Sequence, residues 1–283
     1  MAAGVVVNTN ISSIHASRVL STNRNDLETA MARLASGKRV NSAADDAAAA
    51  SVALKMKADI ASGDVAVRNI NDGISLFQTF DGAASEVENI LVRMRELASQ
   101  MNNGTYASAD RTAANTEYTA LIAEIDRIAD RTDFNRTNIG NNTSGVLVQL
   151  GAAGADQVTF SKNDLNTAAI GVVVDSSTVL TSTVITDQTT AAAAIVSIDH
   201  ALAKVSTARA TAGSNINRLG FALSNAQNVS QRLNEALSGL QDTDYAAESA
   251  NLARGMVLAQ AGTAMLAQAN QAPQYVLTLL RGG

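Results

Sequence analysis

The chain has 283 residues, a net charge of −5 and no cysteine, which leaves room for one to three domains and excludes disulfides and thiolate metal sites. The acidic balance argues against nucleic acid, which rewards basic patches. Aromatics are 3% of residues, Trp is absent and Pro273 is the only proline; rings fill thick cores and proline breaks helices, so this composition suits long, closely packed helices.

The N-terminal stretch MAAGVVVNTNISSIHASRV has no basic start and only three consecutive strong hydrophobes, Val5 to Val7. It does not read as a cleavable signal peptide, so the expectation is a cytoplasmic chain or one exported by a route that ignores such peptides. The segment from about Asp46 to Met101 reads as one helix. Its apolar positions Ala84, Val87, Leu91, Met94, Ala98 and Met101 are spaced 3, 4, 3, 4, 3, the seam of a coiled coil. At about 1.5 Å per residue it would reach roughly 80 Å.

NNGTYASAD marks a turn, and a second helix is expected from about Ala107 to Asp130, with Ser108 or Asp110 as cap. DFNRTNIGNN is turn-rich. VLVQLG (146–151) and QVTFS (157–161) read as a hairpin around 151–156, and Ile170 to Thr186 as further short strands. Helix returns from about Thr190 to Leu240. After a break at 241–248, where Thr243 could cap, an Ala-rich helix runs to the C-terminus. The expectation is a mainly α protein: long antiparallel helices in a coiled-coil-like bundle with a small β-hairpin insert and paired terminal helices. Residues 1–42 would pair with 243–283, and 43–242 would form a rod-like helical domain with its β region at about 134–188.

The two ends pose the functional question. Gly255 to Leu280 carries no charged residue, and neither do the first 17 residues if His15 is neutral. Neither arm has a strong stripe, yet both are apolar all around, which requires cover on more than one side. Three readings compete. A poorly ordered terminal pair is the bland one. Membrane insertion needs about 20 mostly apolar residues, and Gln260, Gln268, Asn270, Gln271 and Gln274 cut across the stretch. Burial against other copies of the same chain fits best, with arms that become ordered helices in the assembly.

Motifs for chemistry are missing. Gly37-Lys38-Arg39 lacks the glycine-rich run of a phosphate loop, and two distant histidines with no HExxH offer neither a zinc site nor a triad. Asp45 and Asp46 read as a helix start. The Ser/Thr-rich stretch 176–190 reads as solvated strand and loop, with O-glycosylation as a hypothesis.

The segments LASGKRVNSAADDAAAASVA (34–53), NINDGIS (69–75), RMRELASQ (93–100), EIDRIADRTDFN (124–135) and QANQAPQYVLTLLR (268–281) closely resemble the terminal regions of bacterial flagellins. The resemblance covers both halves in order and leaves the middle, about 140–190, undiagnosed. It implies a subunit of the flagellar filament used for swimming, not an enzyme and without a cofactor, whose arms form an inner tube and whose long helices form an outer tube. It implies inner-tube contacts at Val5, Ile11, Ile14, Leu20, Leu27, Met256, Leu266, Val276 and Leu279, and the short middle is expected to lack large outer domains. Arg93, Arg95, Glu96, Leu97 and Glu117 resemble the surface read by the animal flagellin-sensing receptor, a candidate receptor or subunit contact. Val92 departs from a polar residue often found there.

By resemblance, the partners are the chain itself, an export chaperone holding the C-terminal arm, the filament cap and the hook-junction proteins, with neither nucleic acid nor membrane among them. Export would be in an unfolded state, and the final place is the extracellular filament. The rivals are a hook–filament junction protein of the same family and, remotely, a secreted membrane-inserting helical protein.

Overall fold

The computed structural model describes residues 9–141, 145–151, 156–160, 164–170 and 183–281, with side chains described through residue 272. The chain divides into two compact units, 60–231 and the combination of 1–59 with 232–283. The described elements are α1 (Ile11–Ser36), α2 (Ala47–Met101), α3 (Ser108–Arg131), β1 (Asp133–Phe134), β2 (Thr137–Asn138), β3 (Val146–Gln149), β4 (Gln157–Phe160), α4 (Thr167–Ile170), α5 (Gln188–Gln241) and α6 (Tyr245–Arg281). The mainly α reading with a small antiparallel hairpin insert therefore holds.

In the unit 60–231, the 3–4 seam of α2 is the core. Ala84, Val87, Leu91, Met94 and Ala98 are fully buried and Met101 nearly so, together with Tyr118, Ile125 and Ala129 of α3 and Ala194, Ile198, Ala201 and Val205 of α5. Alternating steps of three and four keep one stripe of a helix facing its partners. Cross-links fix the direction of α5 against α2. Arg95 Nε donates to Asp199 at 2.6 Å, Arg209 bonds Asp81 at 2.9 Å and also Glu88, and Ser230 Oγ donates to Asp64 at 3.2 Å. Rising numbers in one helix meet falling numbers in the other, so the pair is antiparallel.

The hairpin β3–β4 pairs Val146 with Phe160 and Gln149 with Gln157. Phe160 anchors it: its ring lies 5.1 Å from that of Phe77 and 5.3 Å from that of Phe80, tilted and edge-on, the arrangement that ring quadrupoles favour. Gly73 lets the hairpin settle on α2. A Cβ there would stand 2.8 Å from Val148 Cγ1 and 3.4 Å from Leu219 Cδ1.

Two elements depart from the sequence expectation. The turn-rich DFNRTN is itself a two-residue hairpin, Phe134 facing Thr137, with Asn135 and Arg136 both at positive φ. Such a turn favours Asn-Gly, and arginine in the second place hides the signal. The four-residue helix α4 is held from outside its own sequence, because Asp126 accepts from both the backbone N–H and the hydroxyl of Thr167 at 2.8 Å. Of the expected strands at 170–186, Ile170 ends α4, residues 183–186 join no strand, and 171–182 lie outside the described residues.

The other unit is built by α1 and α6, together with 37–59 and 232–241. Gly37 closes α1 in the left-handed region at φ 70, its N–H returning to Arg33 O at 2.8 Å. The chain then crosses the end of α5. Arg39 donates to the carbonyls of Gln241 (backbone N–H, 2.7 Å) and Leu240 (guanidinium, 2.8 Å), and Gln241 Nε2 donates to Val40 O at 3.1 Å. The last carbonyls of a helix lack internal donors and carry negative partial charge, so a cation there satisfies both needs.

Asp45 and Asp46 organise the start of α2. Asp46 accepts from Ala49 N at 2.9 Å, while Asp45 accepts from the N–H groups of Asn41 and Ser42. Those bonds, led by the Ser42 amide, hold the Asp45 carboxyl below its usual pKa. At α6 the capping expectation needs correction. Asp244, not Thr243, accepts from Ala246 N at 2.8 Å and Ala247 N at 3.2 Å, while Thr243 uses its own N–H to reach Gly37 O.

Candidate assembly surface

The arms α1 and α6 pack against each other, and a register invisible as a hydrophobic stripe aligns them. Leu20 and Leu27 are seven residues apart, and so are Gly262 and Gly255. A Cβ at Gly262 would lie 3.2 Å from Leu20 Cδ1, and one at Gly255 would lie 3.5 Å from Leu27. Each leucine thus sits against a helix notch that has no side chain, as knobs enter holes at a seven-residue repeat. Arg33 meets Glu248 at 3.9 Å farther along, and Asn23 Nδ2 donates to Gly255 O at 3.0 Å. The pair is antiparallel.

Asn10 closes the far end with two bonds. Its Oδ1 accepts from Ser13 N at 3.0 Å and caps α1, while its Nδ2 donates to Ala269 O at 2.7 Å. Pro273, four residues on, has no amide hydrogen to give to that carbonyl. Asn10 supplies the missing donor, which is how a proline is accommodated inside the bounds of α6.

Pairing leaves much of both arms uncovered. Leu20 is buried, and Leu27 and Leu266 are half-buried. Ile11, Ile14 and Met256 are exposed, at 66%, 54% and 53%, and Val257 and Met265 also face outward. Val5 lies outside the described residues, and the side chains of Val276 and Leu279 do as well. An apolar groove of about 630 Å³ runs between the helices, lined by Ile11, His15, Val19, Leu258 and Met265 among others. Large apolar side chains contribute roughly 1.5–3 kcal/mol each on full burial, so covering these half-exposed ones would recover about 1 kcal/mol apiece. Among the described residues no helix is long and apolar enough to cross a membrane, and no cluster of His, Asp and Glu could hold a metal ion.

The second predicted surface divides between two contacts. Arg93 donates to Glu117 Oε1 through Nε at 3.0 Å and Nη2 at 2.9 Å, and to Glu96 at 3.3 Å, fastening α3 to α2. Arg95 turns to Asp199 of α5. Leu97 is 4% exposed and belongs to the core, so it does not share the charged surface. Hydrogen bonds to Glu117 for Arg93 and to Asp199 for Arg95 raise the guanidinium pKa values further. These pairs are solvated, and exposed ion pairs contribute little to stability.

Residues 7–145 match the family profile described as the bacterial flagellin N-terminal helical region, and residues 195–280 match that of the C-terminal helical region. The chain is 42% identical over 278 residues to a flagellin of Halalkalibacterium halodurans, an alignment covering 98% of this chain and all of the relative. It is 34% identical to a flagellin of Listeria monocytogenes, over 97% of this chain and 99% of that one. Among solved structures, one assigned as a flagellar hook-associated protein of Vibrio parahaemolyticus matches with a TM-score of 0.57. It covers 70% of this chain and 100% of its own, at 15% identity, a likeness of fold.

Proposed function

The chain belongs to the bacterial flagellin family, and from this we infer that it is a structural subunit that self-assembles into the filament of the bacterial flagellum. The observation that carries the mechanism is the uncovered apolar surface of the arm pair. Among the described residues, Ile11, Ile14, Met256, Val257 and Met265 are left more than half exposed. A lattice of identical arms supplies that cover from several sides at once. Residues 1–42 and 243–283 then make the inner tube, and 43–242 the rod of the outer tube. The leucine–glycine register within each pair leaves the outward residues free for neighbours.

The subunit works by binding its own kind and performs no chemical step. Its place is outside the cell, in the filament, reached by export in an unfolded state. An export chaperone covers the C-terminal arm before assembly, a cap complex guides insertion at the tip, and hook-junction proteins contact the chain at the filament base. The Arg93–Glu117 surface is a candidate contact for a neighbouring subunit or for the animal flagellin-sensing receptor. Support for this last reading is the exposure of both ion pairs, which a partner can reach without unfolding the helices.

Deletion of residues 255–283 tests the assignment. The truncated chain is expected to keep the cooperative melt of the 60–231 unit and to lose polymerisation, seen by electron microscopy and sedimentation. Filaments grown from that truncation would refute the role given to the arms.

A further inference from the structure

Phe221 is out of keeping with the other core-forming rings. Phe77, Phe80 and Phe160 are fully buried, whereas Phe221, on α5, is 79% exposed. Its neighbour two residues back, Leu219, is fully buried and approaches Gly73 and Val148 under the β3–β4 hairpin. Residues two apart on a helix point about 200° from each other. Phe221 therefore projects from the face opposite the hairpin, at the same level of the bundle. On the hairpin side is an open pocket of about 350 Å³, lined by Asp72, Gly73, Leu76, Phe134, Leu147 and Val148 among others. Leu147 is left 62% exposed there. The volume falls in the range of sites that accept a small apolar group.

We propose that Phe221 of one copy seats in the β3–β4 pocket of a second copy, a lateral contact that rests on the filament-subunit reading above. Charge supports the match. Arg218 precedes Phe221 by one turn on the same face, is exposed, and forms no ion pair among the described residues. Asp72 lines the pocket, is exposed, and likewise forms no ion pair among the described residues. An apolar knob beside a cation thus faces an apolar socket beside an anion. Because knob and socket occupy opposite faces, two copies cannot exchange them by a two-fold. Each copy gives one and receives one, the head-to-tail relation that extends without closing. Aromatic anchors in central pockets dominate many interfaces, and a single ring here would register one row of subunits against the next.

The chain has no cysteine, so a full-length Phe221→Cys/Leu147→Cys variant carries two reactive positions and no background. Treated as filaments with a short bis-maleimide, it is expected to give a ladder of covalent multimers. A mixture of the two single variants should give dimers. Phe221→Ala should raise the critical concentration for polymerisation at least tenfold with unchanged helicity, and Phe221→Leu should raise it less. Arg218→Glu should also raise it, and adding Asp72→Arg should restore it. Filaments of the double-cysteine variant that remain monomeric after treatment, or a Phe221→Ala chain that polymerises like wild type, would overturn the contact while leaving the subunit reading intact. Failure of the wild-type chain itself to polymerise would remove the reading on which the contact rests.

Discussion

Asn10 meets two backbone deficits with one amide group. The first turn of α1 needs an acceptor for Ser13 N, and the carbonyl of Ala269 needs a donor that Pro273 cannot supply. Two substitutions separate these roles. Asn10→Asp keeps the cap acceptor but replaces the donor with a carboxylate facing a carbonyl, whereas Asn10→Ala removes both. A lost hydrogen bond costs about 1 kcal/mol and a lost cap about 1 kcal/mol more. The critical concentration for polymerisation is expected to rise about fivefold for the aspartate and by tenfold or more for the alanine. Equality of both variants with wild type would show that the arm pair does not depend on this residue. The proline was visible in the sequence only as a helix breaker; its compensation comes from a residue 263 positions away, which no local pattern displays. Asp244 is the opposite case. It stood beside the expected Thr243 cap, and an error of one residue at a helix start is the ordinary limit of reading caps from sequence.

At the scale of elements, legibility followed side-chain bulk. The α2 seam could be read because Val87, Leu91 and Met94 recur at three and four, and all are fully buried as that spacing requires. The arms could not be read the same way, since half of their register is written in glycine. Gly255 and Gly262 mark the contact by the side chain they lack. The notch makes a graded prediction. At Gly262, alanine brings a Cβ to 3.2 Å from the flexible end of Leu20, a contact that a small rotamer change relieves, and it gains helix propensity of about 1 kcal/mol. Gly262→Ala should polymerise at least as well as wild type. Gly262→Leu must displace Leu20 and part the helices, at an overpacking cost of roughly 1–3 kcal/mol. Its critical concentration should rise about tenfold, while the thermal melt of the 60–231 unit stays unchanged. A leucine variant that assembles as readily as the alanine one would mean that the two helices do not mesh at this level. The β1–β2 turn and α4 were missed for different reasons. Arg136 occupies a left-handed position that glycine usually announces, and α4 depends on Asp126, 41 residues upstream of Thr167.

At the scale of the whole chain, the two units differ in what holds them. The 60–231 unit has fully buried rings and aliphatics, Phe77, Phe80, Leu91, Met94, Tyr118, Ile125 and Phe160 among them. In the arms, the buried apolar side chains of the two helices come down to Leu20 and Ala30 within the described residues. Helical hydrogen bonds without tertiary cover are marginal in water, so local opening of α1 and α6 in a lone protomer should cost close to zero, whereas opening of α2 around Leu91 should approach the global stability. Polymerisation changes the first quantity and not the second. Hydrogen exchange read by mass spectrometry is therefore expected to show rapid, nearly unprotected exchange across 11–36 and 245–272 in the protomer, and slowing by orders of magnitude over the same residues in filaments. Peptides around 84–101 should be protected in both. The contrast is specific to assembly as the stabilising event: a chain whose arms were completed by their own pairing would protect them before polymerisation, and a dilute protomer with slow exchange throughout α1 and α6 would require another use for the apolar surface those helices expose.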